Sequence, residues 1–306
     1  MLKRVPLSIA GVMLGFAGLG NLLQSYGEPL HVACGAISAL LGVLLIAHLI
    51  SDSGSLRRDM ANPLLASISG TFPMALTLLA GYVRPLSVAF GAALWWIGFA
   101  LHICLIVWFT ATYVARFDLK KVFPSWYIVY VGIVAASLCA PSFGQQLIGA
   151  ICFWFGLICF VPLTVVIVAR YTKVGEPPAP ARPVFCIMTA PASLCVAGYV
   201  QSVSPASAAL LVVLEAVATI FYVVVLVRLP SLLSRKDFSP AYAAYTFPFA
   251  ITAIALKQTM GLLAKLGYSV PWLGPIVVIE TVIATVLALY ALVRFLMHIF
   301  ARKPRQ

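Results

Sequence analysis

The sequence predicts an all-α integral membrane protein, with ten transmembrane helices paired as five helical hairpins in a pseudo-fivefold ring around a central pore. Three observations carry this expectation. Apolar residues make up 63% of the 306-residue chain and charged residues 9%, with a mean hydropathy of +1.06. The charges gather in short clusters between long apolar runs, and alternate runs begin at a nearly constant spacing. A soluble domain carries about 25% charged residues, so the solvent around most of this chain must itself be apolar.

A helix needs roughly 20 mostly apolar residues to cross a hydrocarbon core of about 30 Å. Ten such runs lie near 5–25, 31–50, 63–83, 86–112, 124–141, 146–169, 183–203, 205–229, 242–263 and 274–298. Backbone polar groups in lipid must be satisfied within the segment, so the runs read as helices. The alternating segments of about 10 residues that mark a membrane β-barrel do not occur. Lys3 and Arg4 ahead of the first run imitate a signal peptide. Nine further runs follow and no small-residue cleavage site stands out, so the first run is read as a retained span.

On this count all Lys and Arg except Arg84, Lys257 and Lys265 fall on one side, 17 of 20. Cytoplasmic loops hold the excess of Lys and Arg, which puts both termini in the cytoplasm and requires an even number of spans. The net charge of +12 then follows from topology and calls for no nucleic acid; the surface partner is membrane lipid. The short tails read as bacterial, which makes this the inner (plasma) membrane. The longest loop on the basic side, RYTKVGEPPAPAR at 170–182, cannot hold a soluble domain. Residues 1–306 are therefore one transmembrane domain, without a P-loop or an ATP-driven pump.

Odd-numbered runs begin near 5, 63, 124, 183 and 242, at gaps of 58, 61, 59 and 59 residues. Regular spacing of this length signals repeated units, and an array of equivalent hairpins can close into a ring around an axis. Odd runs carry breakers or small residues near mid-depth: Gly11 and Gly15, Gly70 and Pro73, Gly132, Pro191, and Pro248. Small residues permit close helix approach, and a freed carbonyl is tolerated where protein or a water-filled cavity covers it. The odd helices are thus expected inside, lining the pore, and the even helices outside, although Pro162 in the sixth run departs from the pattern.

Few groups could do chemistry. His31, His48, His102 and His298 show no HxxxH or HxxE spacing, so no metal is expected. The seven cysteines lie within runs without a CxxC pair and read as small apolar fillers. Neither an enzyme nor a cofactor is implied. Three ionisable residues lie inside or near the runs, Glu215, Lys257 and Glu280, and intramembrane charges are functional candidates by default. Lys257 could attract an anion, or pair with Glu280 or Glu215 as a structural bridge; Glu215 reads as a packing hydrogen bond rather than a proton carrier. Hydroxyls on the odd runs, such as Ser67, Ser193 and Thr252, could line a pore or bond their own helix carbonyls. The stretch YAAYTFPFAIT at 242–252 joins aromatics to a helix-breaking proline. An apolar ring aimed into a pore can block it by excluding water, and spacing leaves Phe247 and Phe249 both open.

The chain resembles the tellurite-resistance/dicarboxylate transporter (TehA-type) family, to which plant guard-cell slow anion channels are related. The resemblance runs through most of the chain: GVMLGFAGL with Gly11 and Gly15, FPSWY at 123–127, FVPL around Pro162, IMTAPASLCVAGY with Pro191, VRLP at 227–230, and YTFPF at 245–249. It implies five hairpins around a central pore, assembled as a homotrimer with one pore per subunit. In the family a hydroxyl residue is followed by a phenylalanine that plugs the pore. That pattern falls on Thr246 and Phe247, which makes Phe247 the expected gate and Phe249 the second choice. Gly15, Pro73, Pro191 and Thr246 are the implied pore-lining positions. The implied activity is a gated channel for small monovalent anions such as chloride and nitrate. The alternative is a proton-coupled carrier of C4-dicarboxylates (malate-like), or an exporter of tellurite and other toxic oxyanions.

Overall fold

The computed structural model describes residues 2–233 and 237–301, which are helical almost throughout, with no strand among them. In chain order the main segments are α1 (Ile9–Leu23), α2 (Glu28–Ser51), α3 (Pro63–Val83), α4 (Val88–Val114), α5 (short helical turns over 126–143), α6 (Gln146–Lys173), α7 (Ala179–Ser202), α8 (Ala208–Leu233), α9 (Pro240–Lys265) and α10 (Pro271–Phe300). Eight of these are long and apolar enough to cross a membrane. The runs expected at 5–25 and 124–141 are shorter as helices. The 15 residues of α1 rise only about 22 Å, because residues 5–8 precede the helix and a 3₁₀ turn at Gln24–Tyr26 ends it. In α5, 3₁₀ turns at Gly132–Val134 and Ala140–Phe143 interrupt the α-helix.

Other odd segments are broken too. In α3 the helix stops at Ile68 and restarts at Thr71, around Gly70. The first half of α7, Ala179–Thr189, is 3₁₀, and so is the opening stretch of α9, Pro240–Tyr245. The even helices run unbroken through mid-depth: Pro162 sits inside α6 without ending it.

Burial divides the segments in the same way. All of α1 except Asn21 and Leu23 is buried. In their most apolar stretches, α7 is 89% buried and α3 and α9 are 67%, against 28% for α4 and α6, 33% for α8, and 39% for α2 and α10. The exposed positions of the latter are apolar, for example Val43, Val107, Ile158, Val227 and Val286. Such faces are stable only against hydrocarbon.

Each odd segment packs on the even helix that follows it, and also on its odd neighbours: α1 on α3, α3 on α5, α5 on α7, α7 on α9, and α9 on α1. Polar contacts between neighbouring odd segments recur at a nearly constant sequence separation. Ser67 bonds Ser125 at 2.6 Å, 58 residues on. Ser193 bonds Thr252 at 3.1 Å, 59 residues on. Arg84 donates to the Ser142 carbonyl at 2.9 Å, a separation of 58. These separations match the spacing of the odd runs.

Lipid supplies no hydrophobic drive between helices, so close approach through small residues must hold them. The α1–α9 seam shows this. A Cβ on Gly15 would lie 2.2 Å from the Cβ of Thr246, and one on Gly18 would lie 3.0 Å from the Phe247 ring. Neither backbone can yield without moving the break in α9. Gly15→Ala is therefore expected to destabilise the protein by about 1–3 kcal/mol, the cost of overpacking. Gly261→Ala on α9, with nothing within 4 Å, should leave stability unchanged or raise it. Unfolding midpoints of the two variants in detergent, side by side, check this.

Candidate functional site

The break in α9 follows from its sequence. Pro248 has no N–H to donate and fits a helix only in its first turn, so a helix must start just ahead of it. Thr246 takes φ −100° and ψ −93°, outside the helix, and a new α-helix starts at Phe247. The Thr246 hydroxyl donates to the carbonyls of Gly11 (2.8 Å) and Ala243 (2.7 Å). It thereby ties the break to α1 and leaves no polar group of its own free. Phe247, 4% exposed, is fixed by this tether and by the missing side chain at Gly18.

Phe247 borders a cavity of about 50 Å³ at the level of the breaks. All five odd segments line it, through residues such as Leu14 of α1, Met74 of α3, Val131 of α5, Pro191 of α7 and Phe247 itself. Among the described residues lining it, none is charged. Its two hydroxyl-bearing side chains are engaged elsewhere: Thr71 donates to the Ile68 carbonyl (2.7 Å) and Tyr127 bonds Thr164 of α6 (2.6 Å). The space is large enough for a few waters, which find few polar partners there. The 19-residue helix that begins at Phe247 turns its N-terminus, the positive end of its dipole, to this level.

The expected site residues part company here. Pro191 and Phe247 line the cavity, whereas Gly15, Pro73 and Thr246 do not border it. Gly15 is filled by Thr246. Pro73 lies on the outer side of α3, where its carbonyl faces Gly98 of α4. Phe249 is fully buried and points away, its ring edge-on to Tyr222 of α8 at 6.0 Å. Leu14, Met74 and Val131 were not singled out from sequence. Each is one apolar residue among many on its segment.

The intramembrane charges stand apart from the cavity. Lys257 donates to Ser25 (2.5 Å) and the Leu22 carbonyl (3.5 Å) at the end of α1, with its ammonium 6.0 Å from the Tyr26 ring centre. The expected pair of Lys257 with Glu280 or Glu215 is not formed, because Lys257 leaves α9 toward α1 while both carboxylates lie on the opposite flank. Glu215 of α8 accepts from Thr259 of α9 at 2.8 Å. Glu280 of α10 is 6% exposed, and its Oε2 has no hydrogen-bond partner among the described residues. Arg170, placed in a loop by the sequence, is buried at the end of α6 and is satisfied by the carbonyls of Val122 (3.1 Å) and Gly175. No group of three His, Cys, Asp or Glu side chains able to hold a metal occurs among the described residues.

The sequence profile of the SLAC1 family, described as voltage-dependent anion channels, matches residues 4–299, nearly the whole chain. No curated protein matches it. Proteins of this family are membrane channels and transporters of anions, not enzymes. With its apolar helices and its uncharged cavity at the level of the helix breaks, this chain belongs to the SLAC1 voltage-dependent anion channel family.

Proposed function

We propose that the protein is a gated channel for small monovalent anions, chloride and nitrate among them, and that Phe247 is its gate. The ten segments are read as five hairpins in a ring, with odd segments inside and one pore per chain, in a homotrimer in the inner membrane with both termini cytoplasmic. The observation that carries the proposal is the cavity: every odd segment contributes to its lining, none of the described lining residues belongs to an even helix, and the Phe247 ring borders it. The cycle of contacts α1–α3–α5–α7–α9–α1 and the polar bonds at separations of 58 and 59 residues support the fivefold reading.

The mechanism is physical. An apolar constriction of this size is dewetted, so a hydrated ion meets a barrier until the ring moves. A lining without fixed charge offers no tight site to hold an anion. Selection then falls to the dehydration cost and to the positive end of the α9 dipole. Basic residues concentrated at one mouth raise the local anion concentration there. Weakly hydrated monovalent anions pass best on this account.

Phe247→Ala should raise anion current at least tenfold over wild type in planar bilayers, with a reversal potential that follows the chloride gradient. Phe249→Ala, which alters packing against Tyr222, should not. Equal currents in both variants, or a reversal potential that follows potassium, would overturn the reading. Lys257→Gln in the Phe247→Ala background should leave the reversal potential unchanged, because Lys257 does not border the cavity; a shift would make Lys257 part of the selectivity device.

A second reading, a proton-coupled carrier of dicarboxylates, rests on Glu215 and Glu280, two buried carboxylates flanking α9. It requires saturable malate uptake driven by a proton gradient and abolished in Glu280→Gln. Malate flux in liposomes that ignores both the gradient and this substitution would exclude it. Toxic oxyanions such as tellurite would pass by the same pore on the channel reading.

A further inference from the structure

On the basic end of the bundle a second site lies well away from the cavity. It is an open pocket of about 600 Å³ between the α2–α3 connection and the end of α4, bordered by Arg57, Arg116, Lys121, Thr112 and Trp108. Local geometry explains why three cations meet there. Arg58 is drawn to Asp52 at 2.6 Å, on the other side of the short helix Ser55–Met60, and Arg57 is left facing the pocket. At its end α4 widens into a π-helical turn, Thr110–Val114, a feature that often re-aims side chains at functional sites. The turn brings Thr112 and Arg116 to the same side as Arg57. Tyr113 locks the two connections together by donating to the Met60 carbonyl at 2.6 Å. Among the described residues, Arg57 and Arg116 form no ion pair, and Lys121 has only Asp118 at 3.9 Å.

This basic pocket opens into an apolar one. A groove of about 370 Å³ runs toward the membrane interior between α2, α3 and α4, lined by residues such as Leu45, Phe72, Leu101 and Cys104. Met60 and Trp108 belong to both, so the two form one continuous cleft. A site with a cationic head and a hydrocarbon tail, at the edge of a membrane span, matches one class of molecule in shape and charge. Inorganic phosphate or a soluble anion would use the head alone. A neutral lipid would use the groove alone.

We infer that this cleft binds an anionic phospholipid, its phosphate held by Arg57, Arg116 and Lys121 and one acyl chain laid in the groove beside Cys104. The indole of Trp108, 36% exposed at the junction, sits at the depth where aromatic side chains favour the headgroup boundary. The lipid joins the α2–α3 connection to α4, and so braces the outer side of α3 without touching the cavity residues.

The test is native mass spectrometry of the full chain in detergent with equimolar phosphatidylglycerol and phosphatidylcholine. Wild type should retain phosphatidylglycerol preferentially. A juxtamembrane Lys or Arg contributes about 1 kcal/mol to such binding, so each of Arg57→Gln and Arg116→Gln should weaken retention about fivefold, and the double variant about 25-fold. Both positions are exposed, and a matched melting temperature without lipid checks that the variants fold. In parallel, phosphatidylglycerol should slow alkylation of Cys104, which is free and exposed, whereas inorganic phosphate should not. Equal retention of the two lipids, a preference that survives the double variant, protection of Cys104 by inorganic phosphate alone, or protection that follows protein concentration and thus a second copy of the chain would each overturn the assignment.

Discussion

In a hydrocarbon solvent each backbone N–H and C=O must find a partner inside the protein, because an unpaired one costs several kcal/mol. This chain breaks its helices at mid-depth all the same, at Gly70, Gly132, the 3₁₀ to α junction before Pro191, and Thr246. Such breaks are stable only where protein or a cavity covers them. They confine the odd segments to the interior and leave the unbroken even helices to face lipid, which is the division that burial records. The cavity lies where the breaks lie because both have the same cause.

With the hydrophobic effect nearly silent between helices in lipid, cohesion comes from close packing and buried hydrogen bonds. Gly15 and Gly18 let α9 approach α1 until the Thr246 hydroxyl reaches the Gly11 carbonyl. The same bond satisfies the broken end of α9 and positions Phe247. Trp95 donating to the Ala136 carbonyl (3.1 Å) and His102 bonded to the Val129 carbonyl (3.0 Å) do the same between α4 and α5. Here side chains from an outer helix cap carbonyls in the irregular stretch of α5. His102 is thereby accounted for as a structural contact.

Charge is handled by exclusion from the centre. Lys257 reaches out to the end of α1, Glu215 is held by Thr259, and Arg170 is wrapped by carbonyls at the basic end. What remains around the cavity is hydrocarbon together with oriented peptide dipoles. On the proposed channel reading, an ion there would meet a barrier rather than a binding site, which suits conduction better than tight capture.

Class, spacing and the positions of most breaks were legible in the sequence, because a bilayer imposes a length of about 20 apolar residues and because Gly and Pro act locally on the backbone. Orientation was not. Phe247 and Phe249 differ by about 200° around a helix, and only the tertiary packing turned the first to the cavity and the second to Tyr222. Pro73 sits on the outer face of α3 and Lys257 turns toward α1 rather than Glu280 for the same reason. Hydrophobic periodicity distinguishes a buried face from a wet one. In this protein lipid, helix seam and cavity are all apolar, so the sequence alone determined that the helices cross the membrane and where they break, and the assembled bundle decided which way each side chain faces.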